Sequence, residues 1–309
     1  MCYRPPVSAR KYDLLALDLD GTLFAPDGRV TEANVAAVRR ARDDGMTVVL
    51  CTGRGFVESG SAVRAVDAHR PAAGRAIAPM ITAGGAMVVD AASGRTIHRW
   101  AMGRELVAGL CDHFARAGRA PIILKDRDAA GFDYLVVNSG PIEAPTQWWF
   151  QVMDVEVRFI DHIEHDPHPE HTVRVGFAAV TETMRSLARS VRAEFGERTM
   201  MQHFAAVSGN SHEAHGGKDE TVHLLEVFDP QVSKWTAIHR LALEMGIARD
   251  RIAAIGDEVN DVAMIEGAAL GVAMGNAVDE VKAVAARHTE SNAEDGVARA
   301  IERILSGEW

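Results

Sequence analysis

The run Leu14-Leu15-Ala16-Leu17-Asp18-Leu19-Asp20-Gly21-Thr22-Leu23 constrains the fold of this chain more than any other stretch. A short apolar run closed by a glycine reads as a strand buried on both faces, the usual state of a strand in a parallel sheet. Side chains two apart on a strand share a face, so Asp18 and Asp20 are expected to start out pointing the same way. Two carboxylates at a buried strand end repel each other and resist desolvation. They persist there only if something compensates, most simply a divalent cation. Gly21 lets the chain turn with positive φ or come close to a ligand. The local pattern points to a metal-dependent site at the carboxyl end of a central strand.

The next segments extend this strand into a sheet. Thr31 to Arg42 carries Val35, Val38 and Ala41 at helical spacing, with Thr31 as N-cap, Glu32 in the first turn and Gly45 just past the end. Met46 to Cys51 is a second apolar, β-branched run, ending in Thr52-Gly53-Arg54. Strand, helix and strand in close succession form a βαβ unit, which predicts a right-handed crossover and a parallel sheet. A third strand, Ala78 to Thr82, leads into Gly84-Gly85.

The pattern then changes. Ala86 to Asp90 and Arg95 to Arg99 read as a hairpin around Ala91-Ala92-Ser93-Gly94. An amphipathic helix comes next, through Leu106, Val107, Leu110, Cys111 and Phe114. Pro121 to Leu124, Asp133 to Val137, Val155 to Ile160 and Val173 to Ala179 read as strands, and Glu182 to Phe195 as a helix. Consecutive strands with two helices predict an α+β insert built on an antiparallel sheet. Its mouth is expected in the glycine-rich, polar stretch Ser208 to Asp219.

Alternation of strand and helix resumes from Thr221 to Phe228. Ser233 is expected to cap a helix that turns Trp235, Ile238, Leu241, Ala242 and Met245 inward. Arg251 to Ile255 is a short buried strand ending in Gly256-Asp257, a helix spans about Asn260 to Glu266, and Leu270 to Met274 is a further strand. A last helix runs from Glu294 to Leu305. The organisation is an α/β core of residues 1–85 and 221–309, a Rossmann-like parallel sheet, with residues 86–220 inserted as an α+β second domain.

A length of 309 residues suits two domains better than one. A net charge of −10 argues against a nucleic-acid or anionic-membrane partner, since both call for clustered Lys and Arg. The three cysteines, Cys2, Cys51 and Cys111, form neither a CxxC pair nor a disulfide framework. Met1 to Lys11 has no apolar stretch of the secretory kind, and no run approaches the length of a membrane-spanning helix. A reducing cytoplasm is the expected compartment.

Several strand ends thus carry polar residues: Asp18 with Asp20, Thr52, and Asp257 with Asp261, joined by Lys234 at a helix start. In open α/β sheets ligands bind outside the carboxyl ends of the strands, where the strand order reverses. These residue types match phosphoryl transfer. One aspartate can attack phosphorus, and a second carboxyl can protonate the leaving oxygen and then activate water. A lysine, a hydroxyl, loop amides and Mg²⁺ can stabilise the phosphoryl oxygens, and Mg²⁺ suits an all-oxygen site.

Asp18-Leu19-Asp20-Gly21-Thr22-Leu23, Cys51-Thr52-Gly53-Arg54, Val232-Ser233-Lys234 and Gly256-Asp257-Glu258-Val259-Asn260-Asp261 resemble the four motifs of haloacid dehalogenase-superfamily phosphatases. With Gly271 to Ala277 and Ser291 to Val297, the order is similar to the Cof-type branch, which carries a C2-type cap between motifs two and three. The resemblance implies a Mg²⁺-dependent phosphatase acting on a small phosphate ester. It makes Asp18 the nucleophile and Asp20 the general acid/base, whose backbone carbonyl also reaches the metal. Thr52 would bind a phosphoryl oxygen and Lys234 would neutralise developing charge. Asp257 would ligate the metal with Asp18, Asp261 would support the metal or Lys234, and Asn260 would help hold that shell. Gly21, Thr22, Gly53, Arg54 and Asn276 fall near the bound phosphate or the cap boundary. Gly84-Gly85 stands where Asn-Gly is common in this branch, Trp235 stands where glycine is usual, and His203 to Asp219 is longer and richer in glycine.

Two other readings remain open: a phosphomutase or phosphoryl transferase, and a catalytically silent binding protein. The latter would be marked by loss of Asp18, Asp20 or Lys234, and all three are present. His162, His165, His168 and His171 suggest a metal tract, but Pro167 and Pro169 break any helix there, so an exposed loop whose rings share no face is expected. His212 and His215 carry no stronger signal. Trp148, Trp149 and Phe150 read as packing residues, and Cys51 as a small core residue. Lys125, Arg127, His203 and the tryptophan pair are the cap residues that stand as candidates to touch a leaving group. Neither the ester nor an oligomeric state is set by any motif.

Overall fold

The computed structural model describes residues 10–205 and 222–309. Contacts divide the chain into two compact units, one holding the chain up to Cys51 with Ser61–Met80 and Ile238–Trp309, the other Thr52–Gly60 and Ile81–Ala237.

In the first unit the strand Leu14–Asp18 is buried at every position, as an apolar run in a parallel sheet should be. Ile252–Gly256 pairs with it on one side and Thr47–Cys51 on the other, both parallel. Leu270–Ala273 and then Arg287–His288 extend the sheet beyond Ile252–Gly256, again in parallel. The chain therefore leaves Leu14–Asp18 towards one side and returns on the other. That reversal opens a crevice at the carboxyl end of the strand, where Asp18 stands.

The helix Glu32–Asp43 links the first two strands. Thr31 caps it by accepting a hydrogen bond from Asn34 N (3.2 Å), and Gly45 follows at φ 85°. Buried Asn34 accepts from Ala298 N (3.0 Å), tying this helix to the terminal helix Gly296–Leu305. The terminal helix starts two residues later than its pattern suggests, because Asp295 takes a left-handed φ of 57°. The expected helix from Asn260 is a tight turn, Val259–Asp261, followed by Val262–Gly267. Met245 lies beyond the end of the helix Lys234–Glu244 and is exposed rather than inward.

The second unit holds the hairpin Met87–Asp90 and Thr96–Arg99, and a six-stranded sheet. That sheet runs in the order Met200–Ala205, Val222–Phe228, Thr172–Val180, Ile122–Lys125, Tyr134–Val137, Val157–Ile160. The helices Arg104–Arg116 and Thr181–Phe195 supply Leu110, Phe114, Met184 and Val191 to a core built on Val175, Phe177, Leu225 and Val227. The sheet is not wholly antiparallel as expected: Tyr134–Val137 and Val157–Ile160 pair in parallel. A parallel neighbour needs a crossover, and the helix Ala144–Val152 supplies it. Neither that helix nor the strand Met200–Ala205 is signalled by the sequence pattern. The expected mouth of the insert, Ser208 to Asp219, lies outside the described residues, as do Cys2, His212 and His215.

Buried Lys125, at the end of the interior strand Ile122–Lys125, ties that strand to the segment leading into Thr172–Val180. Its ammonium forms an ion pair with Asp166 and donates to Thr172 Oγ1 (2.7 Å) and the His168 carbonyl (3.2 Å). Burial lowers the pKa of Lys125, while Asp166 pulls it back up.

Candidate active site

The strand Leu14–Asp18 ends at the first of its two carboxylates. Asp20 lies in the loop Leu19–Leu23, so the alternation that would aim both side chains one way stops at Asp18. Asp18 is 4% exposed while Asp20 is half-buried. The loop turns at Gly21, with φ 76°, and closes through Phe24 N donating to the Leu19 carbonyl (2.8 Å).

Asp18, Asp257 and Asp261 each offer a carboxylate oxygen, and these oxygens lie within 4.8 Å of one another. Asp257 follows the strand Ile252–Gly256, and Asp261 closes the next turn. Thr22 Oγ1 donates to Asp257 Oδ1 (2.6 Å), and Asn276 Nδ2 reaches both the Gly21 carbonyl (2.8 Å) and Asp257 Oδ2 (3.3 Å). Asp261 Oδ2 accepts from the amides of Asp257 (2.9 Å) and Glu258 (3.1 Å). Asn260 is in that same turn. Three buried carboxylates this close are mutually repulsive. A hard divalent cation with oxygen ligands would relieve them, so the donor set fits one.

Gly21 is required here. A Cβ at this position would fall on the Asp257 carboxylate, and its φ disfavours any other residue. Gly21→Ala is expected to cost about 1–3 kcal/mol of stability by denaturant unfolding and to weaken metal binding, measured by calorimetry.

The remaining motif residues belong to the second unit. Thr52 is fully buried, its Oγ1 accepts from Arg54 N (3.1 Å), and its carbonyl accepts from Gly84 N (2.9 Å). Gly53 presents its carbonyl to Arg174 Nη1 (2.9 Å). Arg54 lies over the Trp149 ring, 4.9 Å from its centroid. Lys234 is fully buried at the start of its helix, and Ser233 Oγ accepts from Thr236 N (3.0 Å). A Cβ on Gly84 would sit 3.0 Å from the Phe228 ring, and one on Gly85 would come 2.7 Å from Lys234 N. Both glycines are therefore held by packing against the segment that carries Lys234. Trp235 is half-buried.

A polar network in this unit escaped sequence reasoning. Glu58 Oε1 accepts from Tyr134 OH (2.8 Å) and Trp149 Nε1 (2.6 Å). Arg174 forms an ion pair with Glu226 and lies 3.3 Å from Tyr134 OH. Burial pushes the Tyr134 phenol well up, and raises the Glu226 carboxyl against the pull of Arg174. The only available signal is period-two alternation, which sets Arg174 apart from Val173 and Val175, and Glu226 apart from Leu225 and Val227.

Other candidates resolve differently. Lys125 is spent on its anchor, Arg127 pairs with Asp133, and Trp148 is exposed. His203 has its pKa lowered by burial. The histidine loop forms short 3₁₀ turns rather than an α-helix, but its rings do pair: His162 with His165 edge-on, and His168 with His171 stacked at 5.8 Å. His168, Glu170 and His171 lie close enough to hold an ion, which corrects the expectation of unrelated rings. Cys51 and Cys111 are both buried, and burial lifts the Cys111 thiol to about 12.

A family model for haloacid dehalogenase-like hydrolases matches residues 15–301. The chain belongs to that family. A haloacid dehalogenase-like hydrolase from Bacteroides thetaiotaomicron superposes with a TM-score of 0.73 at 24% identity, covering 95% of this chain and all (100%) of that one, which shows the shared fold. Two Bacillus subtilis proteins are similar along nearly their whole length. The 5-amino-6-(5-phospho-D-ribitylamino)uracil phosphatase YitU is 29% identical over 95% of this chain and 97% of its own. Phosphatase YwpJ is 28% identical over 94% and 99%. The haloacid dehalogenase-like family and its Cof-type branch, expected from the motifs, are thereby met, as is an enzyme of the phosphatase kind. Among the described residues no helix is long and apolar enough to cross a membrane.

Proposed function

We propose that this haloacid dehalogenase-like enzyme is a Mg²⁺-dependent phosphatase that hydrolyses a small phosphorylated metabolite through an aspartyl-phosphate on Asp18. The observation that carries this reading is the cluster of Asp18, Asp257 and Asp261 at the strand-order reversal, with carboxylate oxygens within 4.8 Å. Asp18 and Asp257 would hold the ion with the Asp20 carbonyl, and Asp261 would support that set. The ion supplies charge for the phosphoryl oxygens when bound.

Asp18 attacks phosphorus, and Asp20 gives a proton to the leaving oxygen. Asp20 then takes a proton from the water that cleaves the acyl phosphate. Thr52, with the neighbouring Gly53 and Arg54, binds phosphoryl oxygens, and Lys234 offsets charge in the transition state. Residues 86–220, together with the strand Val222–Phe228 that belongs to the same six-stranded sheet, act as the cap that excludes water and selects the leaving group. Three Bacillus subtilis relatives named as 5-amino-6-(5-phospho-D-ribitylamino)uracil phosphatases favour a polyol-bearing phosphate monoester as the substrate. The net charge of −10 favours work on free metabolites in the cytoplasm over work on nucleic acid or an anionic membrane.

Purified protein incubated with p-nitrophenyl phosphate and a panel of sugar phosphates should release inorganic phosphate with Mg²⁺ present. EDTA should remove the activity and excess Mg²⁺ should restore it. Phosphate release that persists undiminished in EDTA would contradict the metal assignment.

A further inference from the structure

One face of the six-stranded sheet packs on the two helices through Val175, Phe177, Leu225 and Val227. The opposite face carries the intervening residues, Arg174, Gly176 and Glu226. Gln202 and Glu226 are directly opposed across an antiparallel pair, so their side chains share that face. Each is 6% exposed, and each keeps one buried oxygen, Gln202 Oε1 and Glu226 Oε2, without a hydrogen-bond partner. The neighbour of Glu226 on its other side is Gly176, which has no side chain to donate. Buried acceptors are ordinarily paired, so two adjacent orphans call for a partner.

Glu226 is also joined to the motif-two loop. Its other oxygen binds Arg174, whose Nη1 donates to the Gly53 carbonyl (2.9 Å), and the charge of Lys234 acts on it. We propose that Gln202 Oε1 and Glu226 Oε2 form a subsite that accepts hydrogen bonds from the hydroxyls of a sugar or sugar-alcohol leaving group. This deepens the phosphatase reading and rests on it. A second phosphate or a carboxylate on the leaving group would be repelled by Glu226. A plain aryl group would leave both acceptors unpaired, and a polyol satisfies them. Glu226 and Gln202 are thus specificity-determining residues, and Arg174 is a positioning residue that aims Glu226 while holding Gly53.

Calorimetric binding to the Asp18→Asn protein, with Mg²⁺, tests this with ribitol phosphate and phenyl phosphate. Adding Glu226→Gln, which replaces an acceptor by a donor, should weaken ribitol phosphate by about tenfold more than phenyl phosphate. Gln202→Met removes the other acceptor without touching the Arg174 pair and should show the same bias, so the test survives a poorly folded Glu226 variant. Equal losses on both esters, or none, would overturn the subsite. The readout is affinity rather than turnover. A wild-type protein that binds ribitol phosphate with this bias but hydrolyses no ester would count against the phosphatase reading and leave the subsite supported.

Discussion

Asp18→Asn should lower Mg²⁺-dependent hydrolysis of p-nitrophenyl phosphate by about 10⁴-fold or more, the scale on which removal of a nucleophile acts. An amide is nearly the same size as a carboxylate, yet it does not attack phosphorus and carries no charge for a cation. The fold should not suffer. Asp18 is buried beside Asp257 and Asp261, and removing one of three crowded negative charges relieves repulsion in the metal-free protein. The expected unfolding midpoint without metal is therefore equal to that of the wild type or higher. Stabilisation by added Mg²⁺ should shrink, since one of the ligands has gone. Loss of activity accompanied by collapse of the fold would instead mark Asp18 as structural.

The second large effect is on stability and concerns Lys125. Its side chain is fully buried against Asp166, which is itself 2% exposed. Lys125→Met keeps the apolar stem but leaves the Asp166 carboxylate buried without its cation. The bond that Asp166 Oδ1 accepts from His168 N (3.0 Å) stays in place, while the Lys125 bonds to Thr172 Oγ1 and the His168 carbonyl, which fix the turn leading into Thr172–Val180, are lost. The expected cost is about 3–5 kcal/mol in denaturant unfolding, typical of a buried pair broken on one side. Lys125→Met with Asp166→Leu should recover most of that loss, because no charge is then stranded. A single variant costing less than about 1 kcal/mol would show that the pair is solvated like a surface one.

The parts of this fold that are legible in the sequence are those governed by local physics. Leu14–Asp18 is continuous in apolar character because it is covered on both faces, and Thr31 and Gly45 are readable because a cap and a left-handed residue have chemical requirements. The carboxylate cluster is legible for a related reason. Asp18 and Asp257 each stand at the end of a buried strand, and Leu14–Asp18 and Ile252–Gly256 are direct neighbours. Asp20 shows the limit of that logic. Period-two reasoning needs the strand to continue, but it ends at Asp18 and Asp20 lies in the loop that turns at Gly21.

The illegible parts depend on register between distant strands. Arg174 stands out on its strand as a charged residue between valines, but its partner Glu226 is 52 positions away. Only the register of Val222–Phe228 on Thr172–Val180 brings Glu226 beside Gly176, with Arg174 two residues along the same face. Lys125 reads in sequence as a ligand contact because lysines are rarely buried, and nothing near it in the chain announces Asp166. The helix Ala144–Val152 carries an aromatic run without a clear apolar period, which conceals the parallel pairing that it makes possible.

Covalent transfer of the phosphoryl group to Asp18 is tested by acid quenching during turnover. Wild-type protein mixed with a ³²P-labelled substrate ester and Mg²⁺, quenched within one turnover and digested, should carry acid-stable, alkali-labile label on the peptide containing Asp18. The same experiment on Asp18→Asn should leave that peptide unlabelled. Label on another residue, or phosphate release at the wild-type rate with Asp18 never labelled, would exclude Asp18 as the nucleophile.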